Sequence, residues 1–236
     1  MANYVLIHGS LSGGWCWTKV KMLLESMGHK VIAPDLPGHE PDSPILPQDI
    51  TMERYVSFVC DIVESNKEKV ILAGHSLGGA IITKVIDNIT DDIVERAYYI
   101  SALVPHNGDI IGKMLKDDVE SELRNAFRMN SDKMIIEPVW EMVSEVYYNG
   151  CSDEDSEFAK KRIVPQSIIP FSTPIELGKL KDIRRIGIVS EYDRSLSPDY
   201  QRLMYRKAKC EIRSIYSGHA AFFSKPSELV ELLLEE

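Results

Sequence analysis

The chain has 236 residues, of which 44% are hydrophobic and 27% charged, and its formal net charge is −9. These values are typical of a globular protein with one large domain or two small ones. The acidic balance without a basic block argues against nucleic-acid binding, and no apolar run approaches the ~20 residues of a membrane span.

Cysteine usage and the N-terminus indicate the compartment. The four cysteines are widely spaced and form no CxxC pair or metal-type cluster, so we expect reduced thiols and no bound metal or cofactor. The opening MANYVLIHGS lacks a basic region followed by a long apolar stretch, so no signal peptide is predicted. We therefore expect a cytoplasmic protein.

Short β-rich apolar runs alternate with segments of helical spacing along most of the chain. The predicted strands are 4–7, 29–35, 69–74, 94–103, 184–193 and 210–218. The predicted helices are 18–28, 51–66, 77–89, 197–208 and 225–236, with Thr51 as an N-cap and Pro226 in a first turn. Short connections and missing hairpin signals predict an α/β fold with a mainly parallel six-stranded sheet flanked by helices.

One stretch, about 105–180, interrupts this alternation. It contains helical patterns, such as the apolar stripe of MIIEPVWEMVSEVYYNG, and a proline-punctuated part, VPQSIIPFSTPIEL, but no convincing strand. We expect a helical cap inserted at the edge of the sheet. Residues 1–236 are predicted to form a single domain, because no linker is long enough to separate two.

Residues 74–78 read Gly-His-Ser-Leu-Gly, directly after a predicted strand and before a predicted helix. This context is typical of a sharp turn that holds a nucleophilic serine in strained geometry, and it makes Ser76 the candidate nucleophile. The alternatives are a serine N-cap in a glycine-rich turn and a phosphate-binding loop. The second is disfavoured because the Gly-Lys-Ser/Thr ending is missing.

A serine nucleophile needs a base within hydrogen-bond reach and a third group that orients the base. Among six histidines, His219 alone follows the last predicted strand, where its loop can reach the turn. The acid is expected after the preceding strand, where Asp193 is favoured and Glu191 is the alternative. Asp35 is assigned to a structural loop. The resulting order Ser76, Asp193, His219 is that of α/β-hydrolases.

Acyl transfer also needs donors for the oxygen of the tetrahedral intermediate. The backbone N–H of Leu77, directly after the serine, is one candidate. The loop after the first strand, HGSLSGGWCW, supplies the other, the N–H of Ser10, unless its glycines serve only as a flexible loop. Trp15 and Trp17 in this loop either line the pocket or are simply packed.

Four stretches together resemble the α/β-hydrolase superfamily: VLIHGSLSGGWCWTKVKMLLESMGHKVIAPDLPGH, VILAGHSLGG, VSEYDRSLSP and YSGHAAFFSKPSELVELL. More narrowly, they resemble the branch with plant methylesterases, hydroxynitrile lyases and bacterial esterases of the pyrethroid-hydrolase type. The resemblance implies the same roles for Ser76, Asp193, His219, Ser10 and Leu77. The lyases carry a lysine after the histidine and a cysteine after the serine, where this chain has Ala220 and Leu77.

The leading hypothesis is therefore a serine hydrolase that cleaves a small carboxylic ester through an acyl-enzyme, without a cofactor. The alternatives are a receptor-like ligand-binding protein with little turnover and a hydroxynitrile lyase, which Ala220 disfavours. The expected partner is a small-molecule ester, with neither nucleic acid nor membrane, and a homodimer is left open.

Overall fold

A computed structural model describes residues 1–40, 42–89, 92–178 and 181–235. The first part of the fold comprises β1 (Asn3–Ile7), α1 (Thr18–Ser26), β2 (Lys30–Ile32), α2 (Met52–Glu64), β3 (Val70–His75), α3 (Leu77–Asn88) and β4 (Val94–Ile100). The last part comprises β8 (Arg184–Ser190), α9 (Pro198–Lys207), β9 (Glu211–Ile215), α10 (Ala221–Ser224) and α11 (Pro226–Leu234). Two short 3-10 helices, Gly14–Trp17 and Pro47–Asp49, lie in loops.

The strands outside the insertion form one six-stranded sheet in the order β2-β1-β3-β4-β8-β9, and every neighbouring pair is parallel. The predicted parallel sheet and its flanking helices are confirmed. All loops that follow these strands start at the same edge of the sheet, so residues distant in sequence meet there.

Alternation along the strands divides the core into two layers. In β1, Tyr4 and Leu6 pack with α1, α10 and α11, whereas Val5 and Ile7 face α2, α3 and α9. Strands buried on both faces must be nearly continuously apolar, which the sequence of β3 satisfies; β4 is apolar and buried except at Glu95 and Arg96 near its start. Thr51 caps α2 through a hydrogen bond from the Arg54 N–H, as predicted.

The inserted segment, residues 101–183 between β4 and β8, is not purely helical. It contains α4 (Ile111–Asp117), α5 (Leu123–Ala126), β5 (Phe127–Asn130), β6 (Ile135–Pro138), α6 (Trp140–Val146), α7 (Asp153–Lys160), β7 (Gln166–Ser167) and α8 (Ile169–Ser172). Strands β5, β6 and β7 form a small antiparallel sheet, so our prediction that this stretch holds no strand is wrong. The strands are too short, and too evenly half-buried, to show period-two alternation.

Within the described ranges, no helix is both long and apolar enough to cross a bilayer. The four cysteines, Cys16, Cys60, Cys151 and Cys210, are all unpaired thiols.

Candidate active site

The turn between β3 and α3 has the strained geometry that its sequence predicts. Ser76 adopts φ 52° and ψ −119°, a conformation that residues with a side chain rarely adopt. A Cβ on Gly78 would lie 2.5 Å from the Ile7 carbonyl oxygen, and one on Gly79 would lie 2.6 Å from Ala102 Cβ. Only glycine therefore lets the first turn of α3 press against the ends of β1 and β4.

Asp193 and His219 meet at the same edge of the sheet, although 26 residues separate them. His219 Nδ1 lies 2.7 Å from Asp193 Oδ2, and both side chains are almost fully buried. A carboxylate can only accept, so Nδ1 carries the hydrogen, and in the neutral imidazole Nε2 keeps its lone pair. This Nε2 atom is buried, and no group in the described part of the chain bonds to it.

His75, the neighbour of Ser76 in the chain, contacts His219. The rings of His75 and His219 lie 4.5 Å apart, and His75 Nε2 lies 3.0 Å from the His219 carbonyl oxygen. The described residues contain no hydrogen bond between Ser76 Oγ and His219 Nε2. Such bonds are often long in unliganded enzymes and tighten when substrate binds.

The Asp193 carboxylate is held by four donors. Its Oδ1 accepts the backbone N–H groups of Ser195 and Leu196, at 2.8 and 2.9 Å. Its Oδ2 accepts from His219 and from Gln201 Nε2, the latter at 2.9 Å. The carboxylate is thus fully hydrogen-bonded, which a buried charge requires.

The two other candidate acids are engaged elsewhere. Glu191 pairs with Arg202 rather than with His219. Asp35 Oδ1 accepts the Gly14 N–H at 2.6 Å, which fixes the glycine-rich loop after β1 and agrees with the loop role predicted for it.

Three further histidines, His8, His39 and His75, lie buried around the site and are called here the buried histidines. Burial, reinforced by neighbouring imidazoles, holds the pKa of His8 and His75 well below the usual value, and burial lowers the pKa of His39. His8 Nε2 accepts the Leu36 N–H at 3.0 Å, so its Nδ1–H donates to the Gly9 carbonyl oxygen at 2.8 Å. His8 thereby fixes the backbone just before Ser10.

The two predicted donors for a developing oxyanion belong to residues close to Ser76. Leu77 opens α3, so its N–H has no acceptor within the helix. Ser10 lines the same cavity as Ser76, on the loop that begins at the end of β1. The Tyr147 hydroxyl donates to the Ser10 carbonyl oxygen at 3.3 Å, and burial raises the pKa of this hydroxyl, which keeps it protonated.

A cavity of about 290 Å³ opens above Ser76 and Ser10. Its wall is mostly hydrocarbon, from the loops after β1 and β4 and from the inserted segment. The apolar lining includes Leu11, Leu103, Phe127, Met129, Ile136 and Phe171. Trp15 and Trp17 are not among the lining residues; Trp17 is fully buried and packs on Phe222.

The inserted segment also supports the two loops that carry the acid and the base. Asn149 Nδ2 donates to the Tyr192 carbonyl oxygen at 2.6 Å, and its Oδ1 accepts the His219 N–H at 3.4 Å. The Tyr147 ring packs edge-on against the His219 ring, with 4.8 Å between their centroids. One short stretch of the insertion therefore touches the acid loop, the base and the Ser10 loop.

Sequence reasoning missed three of these positions: Gln201, Asn149 and Tyr147. Gln201 had a visible signal, because it precedes Met204 and Tyr205 on the apolar face of α9, where a glutamine needs polar partners. The other two lie in the insertion, whose arrangement the sequence does not show. In the described part of the chain, no three His, Cys, Asp or Glu side chains form a group that could hold a metal ion.

The chain is similar to known proteins over nearly its whole length. The chain is 29% identical to a carbendazim hydrolyzing esterase of Nocardioides sp. (strain SG-4G), over 99% of this chain and 98% of that protein. It is 31% identical to methylesterase 3 of Arabidopsis thaliana, over 99% of this chain and 95% of that protein. The crystal structure of a pyrethroid hydrolase from Sphingobium faniae JZ-2 superposes with a TM-score of 0.85, at 26% identity, over 98% and 95% of the two chains.

These relatives are of the kinds that the sequence resembles, so the predicted resemblance to plant methylesterases and pyrethroid hydrolases is confirmed. The model of the family described as "Alpha/beta hydrolase family" matches residues 4–232, nearly the whole chain. The chain belongs to the alpha/beta hydrolase family.

Proposed function

We propose that this protein hydrolyses small carboxylic esters, with Ser76 as nucleophile, His219 as general base and Asp193 as the group that orients the base. The observation that carries the proposal is the buried Asp193–His219 pair beside the strained Ser76 turn. In this pair His219 Nδ1 is the hydrogen-bond donor, so His219 Nε2 can act as the proton acceptor that a serine nucleophile requires.

In the proposed reaction, Ser76 Oγ attacks the ester carbonyl carbon while its proton passes to His219 Nε2. The imidazolium returns this proton to the leaving alcohol, and an acyl-enzyme remains. A water molecule then attacks the acyl carbon while His219 Nε2 takes its proton. As the bond between the acyl carbon and Ser76 Oγ breaks, the imidazolium returns this proton to Oγ and the carboxylic acid leaves. Asp193 stabilises the imidazolium in both halves.

The N–H groups of Ser10 and Leu77 are the proposed oxyanion donors. Each such donor contributes about 3–4 kcal/mol to lowering the barrier. His8 supports this role because it fixes the Gly9 carbonyl and therefore limits how the following peptide can turn. Both donors are backbone groups, which keeps them available whatever the substrate.

The cavity supports a small, largely apolar substrate. At about 290 Å³ it lies at the lower end of the range for ligand pockets, and its lining is mainly aliphatic and aromatic. Water-poor walls also strengthen the electrostatic contribution of the oxyanion donors.

The experiment that tests the proposal follows hydrolysis of 4-nitrophenyl esters of increasing acyl length. Wild type should turn over the shorter esters, and Ser76→Ala should lose roughly a million-fold in kcat. A fluorophosphonate probe should label wild type at Ser76 and leave the variant unlabelled. Ester turnover that persists in Ser76→Ala would refute the proposal, and a folded protein that binds esters but is neither labelled nor active would favour the receptor-like alternative.

Three finer features stay proposals. The unpaired state of all four cysteines supports a reducing compartment such as the cytoplasm. We treat the inserted segment as a cap within a single domain, since it forms one wall of the cavity. A homodimer would be tested by sedimentation equilibrium.

A further inference from the structure

The cavity above Ser76 combines an apolar wall with an excess of positive charge. Lys116, Arg124 and Arg128 all line it, whereas Asp118 is the single carboxylate among its lining residues. The three cations are exposed, which places them where the cavity meets solvent, while Asp118 is buried. This is unusual in a protein whose net charge is −9.

Among the residues that the structure describes, Lys116 and Arg124 have no carboxylate partner. Across residues 1–40, 42–89, 92–178 and 181–235, no carboxylate oxygen lies within 4.0 Å of either side chain. Two unpaired cations at one opening therefore leave a local positive potential that the chain does not cancel.

Two nearby carboxylates, Glu122 and Asp118, are bound to other partners. Glu122, next to Leu123 and Arg124, forms a two-bond pair with Arg194, at 2.7 and 2.6 Å. Both oxygens of Asp118 accept from Ser197, one from its N–H at 2.7 Å and the other from its hydroxyl at 2.6 Å. Neither acid is free to turn toward the opening.

Arg128 contributes less than the other two cations. It stands directly opposite Glu137 in the β5–β6 pairing, so the two side chains share one face of the small sheet. Glu137 also lies 4.0 Å from Lys133. Lys116 and Arg124 are therefore the pair that gives the opening its charge.

We propose that this site selects anionic esters, in particular esters whose acyl chain is apolar along its length and ends in a carboxylate. This inference rests on the proposed esterase function. The scissile carbonyl lies at Ser76, the methylene chain lies against the apolar wall, and the distal carboxylate meets Lys116 and Arg124 at the opening. A guanidinium can bind such a carboxylate through two parallel hydrogen bonds, which fixes the position of the chain end.

The test compares two substrates that differ in one terminal group. 4-Nitrophenyl hexanoate and the mono-4-nitrophenyl ester of adipic acid share their leaving group and chain length, but the second ends in a carboxylate. The measured quantity is the ratio of kcat/KM for the anionic ester to kcat/KM for the neutral one. In wild type we expect a ratio of about 10, from one charge-assisted hydrogen bond of about 1.5 kcal/mol.

Lys116→Gln and Arg124→Gln should each lower this ratio by about 3- to 10-fold, and the double variant should bring it to 1 or below. Lys133→Gln is the matched control, because Lys133 is a cation of the same segment that does not line the cavity. Raising NaCl from 50 to 500 mM should reduce kcat/KM for the anionic ester alone, because salt screens exposed charges.

The outcomes separate this inference from the function on which it rests. If wild type hydrolyses the hexanoate but its ratio is 1 or less, esterase function stands and anion selection is overturned. A ratio that Lys116→Gln and Arg124→Gln leave at the wild-type value also overturns it. If neither ester is hydrolysed although thermal unfolding shows a folded protein, both proposals fall.

Discussion

Replacing Gln201 by methionine tests how strongly the environment of Asp193 controls catalysis. Gln201 is completely buried. Its amide nitrogen donates to Asp193 Oδ2 at 2.9 Å and to the Leu196 carbonyl oxygen at 2.7 Å, and its oxygen accepts the Ser190 N–H at 3.1 Å. Methionine keeps the length of the side chain and removes all three bonds.

The cost to stability follows from these three bonds. The Ser190 N–H and the Leu196 carbonyl lose their partner, and Asp193 keeps three donors of four. An unsatisfied buried polar group costs about 1–3 kcal/mol, and costs within one network do not add in full. Since methionine fills nearly the same volume, we expect the free energy of unfolding to fall by about 2–5 kcal/mol, and Tm by roughly 5–15 °C.

In Gln201→Met the loss of activity should be larger than the loss of stability explains. With one donor fewer, the Asp193 charge acts more strongly on His219 and favours the protonated imidazole, which cannot accept the serine proton. We expect kcat to drop by about 10- to 100-fold, in the range for lost outer-shell partners, with KM little changed. The acid limb of the kcat/KM profile should move to higher pH.

Gln166→Met is the matched control. Gln166 is also completely buried, and it also makes three hydrogen bonds, with His39, Tyr55 and Ser167, but none with Asp193 or His219. It should lose comparable stability and keep the wild-type pH profile. Both variants are measured at temperatures below their unfolding transitions. A wild-type kcat and an unshifted acid limb in Gln201→Met would then refute a positioning role for Gln201.

Three further predictions use the same assays. Asp193→Asn should lower kcat by about 10⁴-fold, because the amide favours the wrong imidazole tautomer, whereas Glu191→Gln should stay within a few-fold of wild type; the reverse result would make Glu191 the acid. In urea titrations, Gly79→Ala should lower the free energy of unfolding by about 1–3 kcal/mol, because the new Cβ would lie 2.6 Å from Ala102 Cβ. Gly178→Ala should change it far less, because its Cβ would lie 3.4 Å from the nearest atom. The buried histidines have folded-state pKa values below the unfolded value of about 6.5. Their contribution to the free energy of unfolding is therefore complete above that pH and is lost as the pH falls below it, by up to about 1.4 kcal/mol per pH unit for each histidine. A Tm that stays constant from pH 7 to 5 would contradict this.

The features that the sequence predicted depend on adjacent residues or on the order of strands in the sheet. The Ser76 turn could be predicted because five adjacent residues and their flanking strand and helix specify it. The pairing of Asp193 with His219 could be predicted because loops after neighbouring parallel strands meet at one edge of the sheet. The six strands of the main sheet were placed correctly, but several are shorter than predicted: 29–35 was expected where β2 spans Lys30–Ile32, and 210–218 where β9 spans Glu211–Ile215.

What the sequence could not predict depends on contacts between distant residues. In the sequence nothing distinguishes His39 from an ordinary loop histidine, yet in the fold it is buried and forms a hydrogen bond with Gln166, 127 residues away. The strands β5 and β6 have four residues each, and their stability comes from pairing rather than from any pattern of their own. The role of Asn149 likewise appears only when the insertion is folded against the acid and base loops.

The insertion is fastened to the acid loop at several points. Ser121 Oγ donates to the Ser195 carbonyl oxygen at 2.7 Å, Ser195 Oγ donates to that of Val146 at 3.0 Å, and Asn149 adds its bond to Tyr192. A swing of this whole segment as a rigid lid would break all three bonds and unseat the aspartate. We therefore expect ligand exchange through the opening of the cavity rather than through a swing of this segment. Engineers who transplant this segment between relatives to alter selectivity would need to move its anchoring partners with it.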